Sequence, residues 1–302
     1  MREQGWLTER FEENRPRLRG VAYRMLGSLS EAEDAVQEAW LRLSRVDTDT
    51  IENLGGWLTT VVSRVCLDML RGRQMRRERL GDEQLPEPRA ERGEGADPEG
   101  EAMLADSVGI ALLVILGTLS PAERLAFVLH DLFDLQFDEI GSILGRSPAA
   151  AKQLASRARR RVRGAPAPPE PGRPRQREVV EAFLRAVRAG DLEGLLAILD
   201  PDAVLRIDGA TRMAGGAPDA ADTVKEISGA STWAPQLLAM TRGMRFTPFV
   251  QPAVIDGVVG LIVAPHGTLS RAVTFTLGND RVTRIEVIGD PVRLRELEIA
   301  VL

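Results

Sequence analysis

Asp138-Glu-Ile-Gly-Ser-Ile-Leu-Gly-Arg-Ser-Pro-Ala-Ala-Ala-Lys-Gln-Leu-Ala-Ser-Arg-Ala-Arg-Arg-Arg-Val162 is the stretch on which the reading of this chain turns. It predicts a helix-turn-helix whose second helix is basic on one side. Ser147 is a good N-cap, and Pro148 takes the first helical position, where a missing N–H costs nothing. Ala151, Leu154, Ala155, Ala158 and Val162 recur at helical spacing and form the buried stripe. Lys152, Gln153, Ser156, Arg157, Arg160 and Arg163 fall on the opposite arc, and no acidic residue interrupts 147–163. Gln, Lys and Arg are the side chains that pair with base edges and phosphates in a major groove. The bland alternative is a solvated basic helix, but surface helices usually mix signs.

Composition sets the frame around that stretch. A chain of 302 residues, 44% hydrophobic, holds two or three domains with ordinary cores. The formal net charge of −5 runs against a nucleic-acid binder until its distribution is considered. Arg71, Arg73, Arg76, Arg77 and Arg79 cluster with only Glu78 among them, and Arg157–Arg163 is a second cluster. Between them lie Asp82, Glu83, Glu87, Glu91, Glu94, Asp97, Glu99, Glu101 and Asp106. Local field governs phosphate binding, so the segregation matters more than the sum.

Cys66 is the only cysteine, which excludes a disulfide framework and a cysteine-rich zinc site. Flanked by Val62, Val65 and Met69, it reads as a small core residue. The N-terminal Met-Arg-Glu-Gln-Gly-Trp is polar and lacks a signal-peptide pattern. The longest apolar run, Val108–Leu116, is too short for a bilayer and contains Gly109. The expectation is a cytoplasmic protein without a membrane span.

Three blocks and two linkers follow. Residues 1–80 read as helical: one helix over about Leu7–Leu26 stopping at Gly27, a second capped by Ser30 with Glu33 completing a capping box, and a third from Gly56-Trp57 to about Leu80. Residues 81–101 are rich in Gly, Pro, Glu and Asp and read as an acidic linker with one stiffer island, Leu85-Pro86-Glu87-Pro88. Residues 102–163 are helical again, with Ser120-Pro-Ala-Glu123 offering an N-cap and a capping box before the helix-turn-helix. Residues 164–176 form a Pro-rich spacer. The block 177–302 opens with two helices, the second capped by Asp191. Strand-like runs then follow at Ala203–Ile207, Arg245–Val250, Ala253–Ala264, Ser270–Leu277 and Arg281–Ile288. The fold class is therefore two all-α domains followed by an α+β domain with a curled antiparallel sheet.

These residues carry a resemblance. Leu26-Gly, Glu33-Asp-Ala-Val-Gln-Glu-Ala-Trp-Leu-Arg-Leu43, Gly56-Trp-Leu-Thr-Thr-Val-Val-Ser-Arg and Leu67-Asp-Met-Leu-Arg71 resemble region 2 of an extracytoplasmic-function (ECF) sigma factor. Leu119-Ser-Pro-Ala-Glu-Arg-Leu-Ala-Phe-Val-Leu-His-Asp131 and the helix-turn-helix resemble region 4. Ala189-Gly-Asp-Leu-Glu-Gly-Leu-Leu196 and Ala203-Val-Leu-Arg-Ile-Asp208 are similar to a SnoaL-like domain, an extension found in the SigJ-like group. That group carries a Trp-Leu-Pro-Glu-Pro-like linker, where this chain has Gln84 before Leu85-Pro-Glu-Pro88. Its Asn-Pro-Asp-Lys-Leu-like tail is here Asp290-Pro291-Val-Arg-Leu294. In place of its Asp-Gly-Gly-Gly-Lys-like turn stands Asp208-Gly-Ala-Thr-Arg212.

The resemblance implies three tasks: binding core RNA polymerase, reading a duplex −35 element and capturing melted strand at −10. Asp34, Gln37 and Glu38 are implied for polymerase docking. Arg64, Arg71, Arg73, Arg76 and Arg77 are implied for −10 DNA, with Asn53 in the 46–54 loop as a base reader. Lys152, Gln153, Ser156, Arg157 and Arg160 are implied for −35 DNA, while Arg159, Arg161 and Arg163 touch only backbone or nothing. Leu85, Pro86, Glu87, Pro88, Asp208, Asp290, Pro291 and Leu294 are implied as a regulatory contact. SnoaL-like folds include enzymes in which a carboxylate acts as base, and the candidates here are Asp208, Asp256 and His266. No acid–base pair stands out among them, so no catalysis, cofactor or metal is expected. A small ligand of the third domain, near Trp233 and Met240–Met244, is a further implied partner. Two rival readings are a ligand-sensing helix-turn-helix regulator and a SnoaL-type isomerase or cyclase fused to a DNA anchor. The first predicts tight operator binding without polymerase, and the second predicts turnover.

Overall fold

The helix-stop signals of the first block work as written. In this computed structural model, which describes residues 2–46, 51–80, 109–163, 173–208, 224–242 and 249–302, α1 (Arg2–Leu26) ends where Gly27 takes φ 78°. That left-handed conformation suits a residue without Cβ. α2 (Leu29–Leu43) buries Leu29, Ala32, Ala35, Val36, Ala39 and Leu43 on one stripe. Its N-cap is Ser28, not Ser30, and the capping box is not made. Glu33 instead faces α1, where it pairs with Arg15 and Arg19. α3 (Leu54–Leu80) supplies Leu58, Val62 and Cys66 to the core shared with Phe11, Leu18, Val21 and Ala22 of α1.

The second block begins with α4 (Ile110–Thr118), followed by α5 (Pro121–Phe127) and a π-helical turn over Val128–Leu132. Here the capping box forms, with Ser120 and Glu123 satisfying each other's backbone amides. α6 (Phe137–Leu144) stops at Gly145, φ 66°, and α7 (Pro148–Arg163) starts with the Ser147 hydroxyl accepting from the Ala150 amide at 3.2 Å. The described residues make two compact units. One holds α1–α3 together with residues 116–161; the other holds 109–115 together with the residues from 162 onward. The division thus falls inside α4 rather than ahead of it. α4 is apolar on every side, and such a helix is buried all round.

The α+β unit opens with α8 (Arg173–Ala189) and α9 (Leu192–Ile198), the latter capped by Asp191 through the Gly194 amide at 2.9 Å. Among the described residues seven strands follow: β1 (Leu199–Ile207), β2 (Lys225–Ser228), β3 (Val250–Ile255), β4 (Val258–Val263), β5 (Arg271–Gly278), β6 (Arg281–Ile288) and β7 (Ile299–Ala300). Two further helices are α10 (Ala230–Arg242) and α11 (Pro291–Glu296). The sheet order is β2-β1-β6-β5-β4-β3-β7. The expected all-antiparallel sheet is corrected to a mixed one, because β1 and β6 run parallel, with Leu205 opposite Ile285. The run Ala253–Ala264 is two strands, since Asp256 (φ 48°) and Gly257 (φ 87°) make a tight hairpin turn.

Each sheet face carries its own core. Against one face pack α8, α9 and α10, burying Val180, Phe183, Leu195 and Trp233 with Phe275, Val282 and Ile285. The Trp233 indole N–H donates to the Ala203 carbonyl at 2.9 Å. On the other face Ile255, Ile262, Ala264, Ala272 and Ile288 meet Ile110, Ala111 and Val114 of α4. Leu294, Leu297 and Ile299 of the C-terminal segment close the same cluster. Gln251 of β3 accepts from the Ile110 amide at 2.7 Å, filling the capping role at the start of α4.

Candidate nucleic-acid interface

α7 presents the face its sequence predicts. Ala151, Leu154, Ala155 and Ala158 are buried, whereas Lys152, Gln153, Ser156, Arg157 and Arg160 are exposed. Val162 is half-buried. Ile140, Ile143 and Leu144 of α6 anchor the first helix of the motif. The flanks of α7 are tied down by carboxylates. Arg157 and Arg161 pair with Glu123 at 3.2 and 3.3 Å, and Arg159 pairs with Asp131. Among the described residues neither Lys152 nor Arg160 forms an ion pair, and both are exposed.

α3 is less uniform. Arg64, Arg71 and Arg76 are exposed, Arg71 lying 3.8 Å from Asp68 on its own helix. Arg77 continues α3, but its side chain lies outside the described residues. Arg73 binds Glu31 and donates to the Leu26 carbonyl at 3.3 Å, tying α3 to the junction of α1 and α2. Asn53 Oδ1 accepts from the Gly56 amide at 2.9 Å and caps α3. Residues 47–50 of the loop before it lie outside the described residues.

Asp34 and Gln37 are exposed on α2, and Glu38 pairs with Arg42 one turn on at 2.9 Å. They flank Trp40, whose ring meets that of Phe11 at 4.9 Å. A groove of about 560 Å³ between α1 and α2 is lined by Phe11, Val36, Gln37 and Trp40 with Arg15 and Glu33 at its edge.

Sequence reasoning missed Arg124. It is buried, and its Nε donates to the Arg24 carbonyl at 3.0 Å, so α5 is pinned to the C-terminal end of α1. Cations are favoured at that end of a helix. Burial pushes its pKa down, and the nearby Arg73 adds to the effect. Beside it Arg24 lies over the Phe133 ring at 5.3 Å. No periodicity signals Arg124, because Glu123–Leu129 is buried continuously and offers no exposed face to count from. Burial raises the neighbouring Cys66 thiol to about 12, which leaves it unreactive.

In the α+β unit, buried Asp208 accepts from the Gly289 and Asp290 amides at 2.7 and 2.9 Å, with Arg293 4.0 Å away. Asp290 in turn caps α11, which Pro291 begins and in which Leu294 packs on the sheet. Asp208 and the Asp290–Leu294 segment are therefore in contact. Leu85, Pro86, Glu87 and Pro88 lie outside the described residues. Asp256 accepts from the Glu298 amide at 2.7 Å and closes the C-terminal segment onto the β3–β4 hairpin. His266 sits in the turn Pro265–Gly267. Among the described residues no cluster of three His, Cys, Asp or Glu side chains could hold a metal, and no helix is long and apolar enough to cross a membrane.

Residues 10–76 match Sigma-70 region 2 and residues 110–162 match Sigma-70, region 4. Over 262 residues the chain is 39% identical to the ECF RNA polymerase sigma factor SigJ of Mycobacterium tuberculosis, covering 84% of this chain and 80% of that one. This chain belongs to the ECF RNA polymerase sigma factors. The aligned length exceeds everything up to Arg163, so the likeness runs into the α+β domain. The probable ECF RNA polymerase sigma factor SigI of the same species is 40% identical over 190 residues, 62% of this chain and 65% of its own. The crystal structure of M. tuberculosis SigJ aligns over 94% of this chain and 96% of that one at 34% identity, with a TM-score of 0.45. As a sigma factor, the chain meets core polymerase and promoter DNA through surfaces that the two helical regions must supply.

Proposed function

We propose that this sigma factor reads a −35 duplex with the exposed face of α7, grips −10 DNA along α3 and docks on polymerase through Asp34, Gln37 and Glu38. The one-sided face of α7 carries the reading. Lys152, Gln153, Ser156 and Arg160 stand where base edges and phosphates are met, and Arg157 supplies a cation at the flank. On α3 the exposed Arg64, Arg71 and Arg76, continued by Arg77, track phosphates, while Arg73 and Asn53 hold the local fold. Such a binder works on chromosomal DNA in the cytoplasm. No covalent chemistry is assigned to it in this reading, in which Asp208 and Asp256 serve as acceptors for backbone amides. Run-off transcription with core polymerase tests the reading: the full chain redirects initiation to a new start site, and failure to do so overturns it.

The α+β domain acts as the regulator. Ile110, Ala111 and Val114 of α4 sit in the same cluster as Leu294, Leu297 and Ile299, so the C-terminal segment controls how firmly the first helix of region 4 is held. Truncation after Gly289 uncovers that cluster and removes the amide of Asp290 from Asp208. The expected result is altered run-off yield with polymerase co-elution retained. Equal yield from both chains counts against this regulatory role.

A further inference from the structure

We infer that Glu123 is a positioning residue for −35 recognition, holding Arg157 and Arg161 side by side as a preset pair of phosphate-gripping guanidinium groups. The inference rests on the reading that α7 meets duplex DNA. Glu123 lies outside α7, at the third position of α5, and nothing in its local sequence marks it for DNA work. Its own side chain is only 9% exposed, yet the two arginines it holds are 52% and 56% exposed. The carboxylate is thus a buried anchor and the guanidiniums are its exposed ends. The anchor is itself fixed, since Oε2 accepts from the Ser120 hydroxyl at 2.8 Å and the Ser120 amide at 3.2 Å.

Arg157 and Arg161 stand one turn apart on the same flank of α7, so one carboxylate can serve both. Arg157 contributes its Nε and Arg161 a terminal nitrogen, which leaves further N–H groups of each fork for an oxyanion. A free arginine loses much rotamer freedom when a phosphate captures it. A tethered one has lost part of it beforehand, and preorganisation of this kind raises affinity. An opposing effect must be weighed: the carboxylate also neutralises part of the local positive field. Burial works against the charged form of Glu123, but the Ser120 hydrogen bonds and the charges of Arg161 and Arg157 outweigh it and hold its pKa below the usual carboxylate range. The charge is therefore present at neutral pH, and the two effects predict opposite outcomes when it is removed. If neutralisation dominated, loss of the carboxylate would tighten DNA binding; if positioning dominates, loss weakens it.

The test is Glu123→Gln in the full chain, with core polymerase, on a promoter duplex over a salt series. Gln retains an acceptor for Ser120 and lacks the charge. The expected result is about three- to tenfold weaker binding, a shallower dependence of log affinity on log salt by about one contact, and an unchanged preference among −35 sequences. Ser120→Ala, which weakens the cap and keeps the charge, should lower the melting temperature without changing the salt slope. In an Arg157→Ala/Arg161→Ala background, Glu123→Gln should have no further effect on affinity. Equal or tighter binding by Glu123→Gln, or an equal loss in the background lacking both arginines, overturns the inference. If the parent chain itself fails to bind the duplex or direct transcription, the underlying −35 reading has failed instead.

Discussion

Gly141→Ala is expected to cost the sigma factor its −35 activity by forcing the helix-turn-helix apart. A Cβ built at this position would lie 2.7 Å from the Arg146 carbonyl oxygen, 3.2 Å from the Pro148 nitrogen and 3.3 Å from the Ser147 carbonyl carbon. All three are backbone atoms of the turn into α7, so no side chain can swing aside. The same turn is closed by the Arg146 amide donating to the Gly141 carbonyl at 2.9 Å. Overpacking costs about 1–3 kcal/mol and sometimes more, and an unyielding backbone puts this case at the upper end. The sign makes the test decisive. Within an ordinary helix, Gly to Ala is stabilising by about 1 kcal/mol, and α6 is an ordinary helix apart from this approach. Gly145→Ala is the comparison: nothing lies within 4 Å of its Cβ, and only its φ of 66° is strained. It should cost about 1 kcal/mol. Thermal melting and run-off from a −35-dependent promoter check both. A Gly141→Ala protein that melts like its parent would show that the close crossing of α6 over the turn is not what holds α7 in place.

What the sequence made legible follows from the range of the interactions involved. The α7 face was readable because period and charge coincide within one helix, and Ser120-Pro-Ala-Glu123 because a capping box closes over three residues. Interactions between distant segments were not readable. Arg73 belongs to an arginine cluster that looks like a phosphate track, but Glu31, 42 positions earlier, claims it. Glu33 looked like the closing half of a capping box, but two arginines of α1 take it. The parallel pairing of β1 with β6 has no turn to announce it, whereas the Asn279-Asp280 hairpin, with both φ values positive, does. α10 carries little signal in the sequence because Pro235 interrupts it and its buried residues are few, Trp233 and Leu238 with two alanines. The sequence places α4 inside the second helical block, 102–163, yet its first turns pack on the sheet; a helix apolar on every side does not say which neighbour it faces.

The Gln153→Ala/Arg160→Ala protein is expected to lose about 10- to 100-fold, or more, in transcription from its own −35 element, while polymerase binding and stability stay close to parental. On a helix of 3.6 residues per turn, Gln153, Ser156 and Arg160 follow one line along the middle of the exposed face. Arg157 and Arg159 lie to either side, each already bound to a carboxylate. The middle of the face is what enters a groove first, and the flanks meet the phosphate walls. A bidentate base contact is worth about 1–3 kcal/mol, about 10- to 100-fold for each residue that makes one. Both side chains are exposed, and surface substitutions of this kind usually stay within about 0.5 kcal/mol in stability, so unfolding does not mimic the loss. The pattern over a library of −35 sequences separates the chemistry. Relaxed preference at one or two base positions identifies base readout, whereas uniform weakening with a salt slope reduced by about one per residue identifies phosphate contact. Arg159→Ala, removing a flank cation held by Asp131, should weaken binding less and leave preference unchanged. If the double variant transcribes as well as its parent, the exposed face of α7 is a solvated surface and some other element must read the duplex.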